Sequence, residues 1–196
     1  MKKGHIYTLV FMVVLSAVLV FALAAAYEAF KPSIAANERL KEERAVLYAF
    51  DLDNGLADAD VHDTFARLIK EGEQKGQQVY VYEDAGEVKG YAFPFEGAAL
   101  WGGLSGYLGV NADLSQTTGL VFTKQNETPG LGGRIDEDWY KEQFRNLPLA
   151  EGTTLRYGQQ ADYQLDAISG ATQTSAAVLR TVNQLLHDVI LAGEVK

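Results

Sequence analysis

Cysteine is absent from the 196-residue sequence. That absence excludes thiolate-bound iron–sulfur clusters, cysteine zinc sites, disulfides and a catalytic thiol. Redox chemistry, if the chain performs any, falls to an organic cofactor. Histidine is scarce: His5, His62 and His187 lie far apart, which gives a metal centre little to build on, and no metal site is expected. Basic residues are also few, with 17 Lys and Arg against 26 Asp and Glu and a net charge of -9. A phosphate backbone needs a clustered excess of positive charge, so nucleic acid is not an expected partner. The sequence has no internal repeat, low-complexity tract or long linker.

What is present begins with a long apolar run. Ile6 to Ala26 is 21 residues whose only polar members are Tyr7, Thr8 and Ser16. As a helix it would span about 30 Å, the thickness of a bilayer's hydrocarbon core. Lys2 and Lys3 precede it, so the positive-inside tendency places the N-terminus in the cytoplasm and the main domain outside, in the periplasm or its equivalent. Ala22-Leu23-Ala24 also suits a signal cleavage site, but the run is longer than a usual signal core, and a single-pass anchor in the cell membrane is the reading adopted. The expected organisation is residues 1–27 as cytoplasmic terminus and membrane helix, 28–50 as a stalk helix, and 51–196 as an extracytoplasmic domain.

After Pro32, Leu40, Leu47 and Phe50 make one apolar stripe in a charged stretch from Ala35 to Phe50, which predicts the stalk helix. Val61, Phe65, Leu68 and Ile69 repeat at helical intervals and predict a second helix over Val61 to Lys70. Val79 to Tyr82 and Val88 to Phe93 flank Asp84-Ala85-Gly86, a hairpin pattern. Further strands are predicted near Gly106 to Asn111, Gly119 to Lys124, Thr153 to Tyr157 and Tyr163 to Ile168. Strands clustered between terminal helices predict an α+β fold, an antiparallel sheet packed with helices. Trp101 to Tyr107 carries three glycines among aromatics, which suits a structural turn as well as a ligand wall.

Two segments carry candidate chemistry. Asp166-Ala167-Ile168-Ser169-Gly170-Ala171-Thr172 joins a predicted strand to a helix whose apolar face is Val178, Val182, Leu185, Leu186, Val189 and Ile190. Thr172 then falls at a helix N-terminus, where unpaired N–H groups and the positive end of the helix dipole stabilise a phosphate. Taken alone, Ser169, Thr172, Thr174 and Ser175 also suit ordinary capping roles. The second segment, Asn126-Glu127-Thr128-Pro129-Gly130-Leu131-Gly132-Gly133-Arg134, makes a tight loop able to lie against a planar ligand.

Ser169-Gly170-Ala171-Thr172, preceded by Asp166, and Glu127-Thr128-Pro129-Gly130-Leu131-Gly132 together resemble the FMN-binding domain family. Within it the sequence is similar to the G subunit of Rnf-type and the C subunit of Nqr-type ion-translocating complexes. The order of anchor, stalk, loop and turn agrees along nearly the whole chain. The resemblance implies an electron-transfer subunit with flavin mononucleotide (FMN) held covalently by a phosphoester to Thr172. It implies that Ser169, Gly170 and Ala171 shape the turn, and that Asp166 serves recognition by a flavin transferase. It implies a flavin loop of Glu127, Thr128, Gly130, Leu131 and Gly132. Trp101 and Tyr107 are candidates for aromatic cover of the ring, and equally for the core. Expected partners are the lipid bilayer, the transferase during maturation, and other membrane subunits of a Rnf- or Nqr-type complex, with the short chain leaning towards Rnf. The alternatives are a free-standing flavinylated extracytoplasmic electron carrier and a non-redox binding or structural module. No Gly-x-Gly-x-x-Gly opens a strand–helix unit, so nothing resembles a nicotinamide site.

Overall fold

The structure is a computed structural model and describes residues 2–191. Packing divides the chain into two units, residues 1–39 and 40–196. Helix α1 runs Lys2–Ala49. In the first unit its apolar side chains, among them Leu9, Phe11, Leu19 and Phe21, are exposed. This stretch is long and apolar enough to cross a membrane. The Lys2 and Lys3 side chains, on which the expected sidedness rests, lie outside the described residues. Pro32 stands inside α1, so the predicted membrane and stalk helices form one helix. A proline removes one backbone hydrogen bond, a cost that a long helix with bonds on both sides can carry.

The second unit is a five-stranded antiparallel meander in the order β1-β2-β3-β4-β5. Its strands are β1 Ile69–Gln74, β2 Gln77–Asp84, β3 Glu87–Ala98, β4 Gly103–Asn111 and β5 Thr117–Lys124. Period-two alternation sorts their side chains onto two faces. On one face Phe93, Phe95, Leu104, Leu108 and Leu120 form a buried core with α4 (Thr172–Leu185) and α3 (Asp138–Glu142). On the other, Ala92 and Val121 meet the end of α1 through Ala45, Val46, Leu47 and Ala49, with Val61 of α2 (Asp58–Leu68). Full burial of a Phe or Leu contributes about 1.5–3 kcal/mol, so a sheet covered on both faces holds its geometry well. The expected α+β class, with an N-terminal apolar helix and an antiparallel sheet packed with helices, is what the chain adopts.

The end of α1 is tied to the sheet by polar contacts. Thr118 donates its hydroxyl to the Ala49 carbonyl at 2.6 Å, and Arg145 donates to the carbonyls of Tyr48 at 3.1 Å and Thr118 at 2.6 Å. These groups satisfy C-terminal carbonyls that a helix cannot satisfy itself.

Three local expectations give way to tertiary partners. Ile69 and Lys70 leave the predicted second helix to open β1, where they pair with Tyr82 and Val81. Thr153 to Tyr157 forms no strand, because Leu155 spends both backbone groups on the Asn183 side chain of α4 at 2.7 and 2.9 Å. The strand expected over Tyr163 to Ile168 is reduced to β7, Gln164–Leu165, paired with β6, Gly158–Gln159. A π-helical turn, Leu186–Ile190, follows α4.

Candidate cofactor site

The chain leaves β5 at Lys124 and enters the Glu127 loop, which leads into a 3-10 turn over Gly132–Asp136. The Thr128 carbonyl closes this loop by accepting from the Leu131 N–H at 3.1 Å and the Gly133 N–H at 3.0 Å. The Gln125 side chain accepts from the Glu127 N–H at 2.7 Å, which turns the Glu127 side chain inward. Glu127 is only 5% exposed. Its carboxylate accepts from the Trp101 N–H at 2.8 Å, in the β3–β4 connection, and from the Thr174 hydroxyl on α4. A buried carboxylate is tolerated when donors surround it, and these two supply that need. Gly132 is required here by close approach: a Cβ at that position would lie 2.6 Å from Thr174 Oγ1 and 2.8 Å from Glu127 Oε2.

The second segment meets the first at α4. Gly170 turns the chain with φ of +78°, a conformation that costs glycine little. The Ala171 N–H then donates to the Ile168 carbonyl at 3.0 Å. The Ser175 hydroxyl accepts from the Ile168 N–H at 3.0 Å, fastening the turn from within. Behind it, Tyr157 donates to the Ser175 carbonyl at 3.0 Å, and its oxygen lies 2.6 Å from that of Tyr140. Burial pushes the Tyr157 phenol up to about 12, so it stays a protonated donor at neutral pH. Asp166 is exposed; its N–H donates to the Gln143 side chain at 2.6 Å, and its carboxylate accepts from Gln164 at 3.1 Å.

Of the hydroxyls in this turn, Thr174 and Ser175 are each 1% exposed and already bonded within the protein. Thr172 and Ser169 face solvent. Thr172 opens α4, and the helix start has no side-chain cap and no acidic residue in its first turn. Its first-turn N–H groups therefore remain available to an anion, which fits a phosphate carried at Thr172. Leu131 is exposed and lies against the Gly170 turn, 3.4 Å from where a Cβ there would stand. Ser169, Gly170, Thr172, Thr128, Gly130 and Leu131 thus present one exposed surface, with Ala171, Gly132 and Glu127 buried beneath it. Trp101 joins the site through its backbone, and its side chain is 67% exposed.

Tyr107 does not join this group. It points to the other face of β4, where it packs with Tyr80 and donates to Glu42 at 3.0 Å. Sequence reasoning missed Thr174 as the partner of Glu127. Its signal was a threonine two positions into the last helix, on the same face as Val178 and so directed inward.

Over this sheet, loop and helix start, residues 100–187 match the model of the FMN-binding domain. More particularly, the chain is 37% identical over 109 residues to the C subunit of the Na(+)-translocating NADH-quinone reductase of Pasteurella multocida, covering 52% of this chain and 42% of that protein. It is 33% identical over 128 residues to the G subunit of the ion-translocating oxidoreductase complex of Methanosarcina acetivorans, covering 63% of this chain and 65% of that protein. The match thus spans less than half of the Pasteurella protein and just under two thirds of the Methanosarcina protein. The crystal structure of the C subunit of the Na(+)-translocating NADH-quinone reductase from Parabacteroides distasonis shares the fold, with a TM-score of 0.68 at 22% identity over 84% of this chain and 98% of that one.

Proposed function

We propose that this chain is the electron-transfer subunit of a membrane-bound, ion-translocating oxidoreductase, with FMN joined through its phosphate to Thr172. The observation that carries this reading is the convergence of the Glu127 loop and the Ser169–Thr172 turn beside the exposed Thr172 hydroxyl at an uncapped helix start. In this reading Thr172 Oγ1 replaces one phosphate oxygen of FMN, so the chain gains one FMN less one water. The N–H groups at the start of α4 balance the remaining phosphate charge. Ser169, Gly170 and Ala171 shape the turn, and Thr128, Gly130 and Leu131 offer the ring an exposed bed. Glu127 and Gly132 act beneath that bed by locking the loop to α4. Asp166, exposed beside the turn, is left to recognition by a flavin transferase.

When bound, FMN supplies one- and two-electron chemistry, while the protein fixes its place. A phosphoester lies a ribityl chain away from the ring, so the tether serves retention more than tuning. α1 holds the domain at the bilayer, with the N-terminus in the cytoplasm and the domain outside. Partner subunits would give and take electrons and move the ion. The larger share of the Methanosarcina G subunit that the chain matches, 65% against 42% for the Pasteurella C subunit, favours a Rnf-type assembly.

The test is expression with and without a flavin transferase, followed by gentle purification of the membrane fraction. Flavin absorbance that survives denaturation, together with co-purifying membrane subunits, is the expected result. A colourless chain in the presence of an active transferase would overturn the cofactor reading, and a flavinylated chain that purifies alone would overturn the subunit reading.

A further inference from the structure

On the sheet face opposite α4 lies a groove of about 330 Å³ that the cofactor reading does not use. It crosses four strands, with Glu71 on β1, Gln78 and Tyr80 on β2, Pro94 on β3 and Tyr107 on β4. The register brings them together: Glu71 stands opposite Tyr80, and Pro94 opposite Tyr107. The two tyrosine rings meet edge to face at 5.5 Å. Both hydroxyls donate to one oxygen of Glu42, at 3.3 Å from Tyr80 and 3.0 Å from Tyr107. Among the described residues no donor reaches the second Glu42 oxygen, and no Lys or Arg lines the groove.

We propose that this groove receives an arginine side chain from a partner protein. Aromatic faces attract a cation, and a phenol that donates to a carboxylate keeps its ring electron-rich. Burial, reinforced by Glu42, raises both phenols above their ordinary range, so the rings stay neutral donors. Glu42 and Glu71 supply the opposite charge, and the chain's net charge of -9 favours a basic surface. The carboxylates select among cations: a guanidinium can lie flat on one of the two rings and still donate to a neighbouring carboxylate, whereas a quaternary ammonium has nothing to donate. The volume is at the lower end of the roughly 300–1,000 Å³ usual for ligand pockets, suited to a side chain. A free amino acid would bring its own carboxylate against Glu42 and Glu71, whereas a residue within a peptide would not.

The test uses the full chain in detergent micelles with ring-labelled tyrosine, titrated with N-acetyl-arginine methylamide while the Tyr80 and Tyr107 resonances are followed by NMR. Saturable movement of both is expected, weakened about ten-fold for the neutral citrulline analogue and about ten-fold in Glu42→Gln. Glu71→Gln, at an exposed position, is expected to weaken binding by a smaller factor and guards against loss of folding. Equal response to citrulline would reduce the groove to an apolar crevice and overturn the proposal. So would the absence of any shift at Tyr80 and Tyr107, or free arginine binding as tightly as the blocked residue. None of these outcomes depends on whether Thr172 carries flavin.

Discussion

Removing the Glu127–Thr174 contact is expected to cost more than either side chain's packing, because the contact joins the two site segments through a buried carboxylate. Thr174→Val keeps the shape and deletes one donor; hydrogen bonds to charged groups contribute about 1.5–3 kcal/mol. Glu127→Ala deletes the acceptor of both Thr174 and the Trp101 N–H and opens a small void, for a loss of about 2–4 kcal/mol. In the double variant the shared contact is lost only once, so the two losses should fall short of additivity by about 1.5–3 kcal/mol. Glu127→Gln should be milder, at about 1 kcal/mol, since its amide can donate to Thr174 while its oxygen still accepts from Trp101. The assay is urea unfolding of the full chain in micelles, followed by the fluorescence of Trp101 and Trp139, the two tryptophans. Losses that add to within about 0.5 kcal/mol would refute the contact as the joint between loop and helix.

Arg145→Ala should destabilise the fold by about 2–4 kcal/mol in the same assay, because its guanidinium joins Thr118, Tyr48 and Glu142, and Arg145→Lys should recover only part of this. An effect under about 0.5 kcal/mol would show that the end of α1 is held by apolar packing alone. Stability should also fall as pH rises from 10 to about 12: burial lifts the Tyr157 phenol from 10.0 to about 12, so the unfolded chain releases this proton first. Tyr157→Phe should make that alkaline decline shallower while leaving the profile between about pH 6 and 9 unchanged in shape. An equally steep decline in the variant would contradict the burial argument.

Where local pattern and tertiary partner agree, the sequence was a good guide. The β2–β3 hairpin is legible because aromatic and β-branched residues flank a turn, and α4 with the turn after it because Val178, Val182, Leu185, Leu186 and Ile190 all enter the core. The two site segments were legible as motifs. Their contact was not, because it runs through Thr174, and a hydroxyl's inward direction is set by the helix it stands on. β1 reads Ile-Lys-Glu-Gly-Glu-Gln and has no apolar alternation; it is an edge strand held by its ladder to β2. Leu155 and its neighbours carry strand-like residues, yet one Asn183 side chain outcompetes any ladder. Tyr107 was misleading because a one-residue change of register decides which face an aromatic takes, and composition cannot supply register.

The central claim is that Thr172, and not a neighbouring hydroxyl, carries the cofactor. Intact-mass and peptide mass spectrometry of the chain made with a flavin transferase, beside Thr172→Ala and Thr174→Ala, tests it most directly. The account predicts a gain of one FMN less one water on the peptide containing Thr172, abolished in Thr172→Ala and still localised to Thr172 in Thr174→Ala. An unmodified chain despite an active transferase, or the same gain persisting in Thr172→Ala, would contradict it.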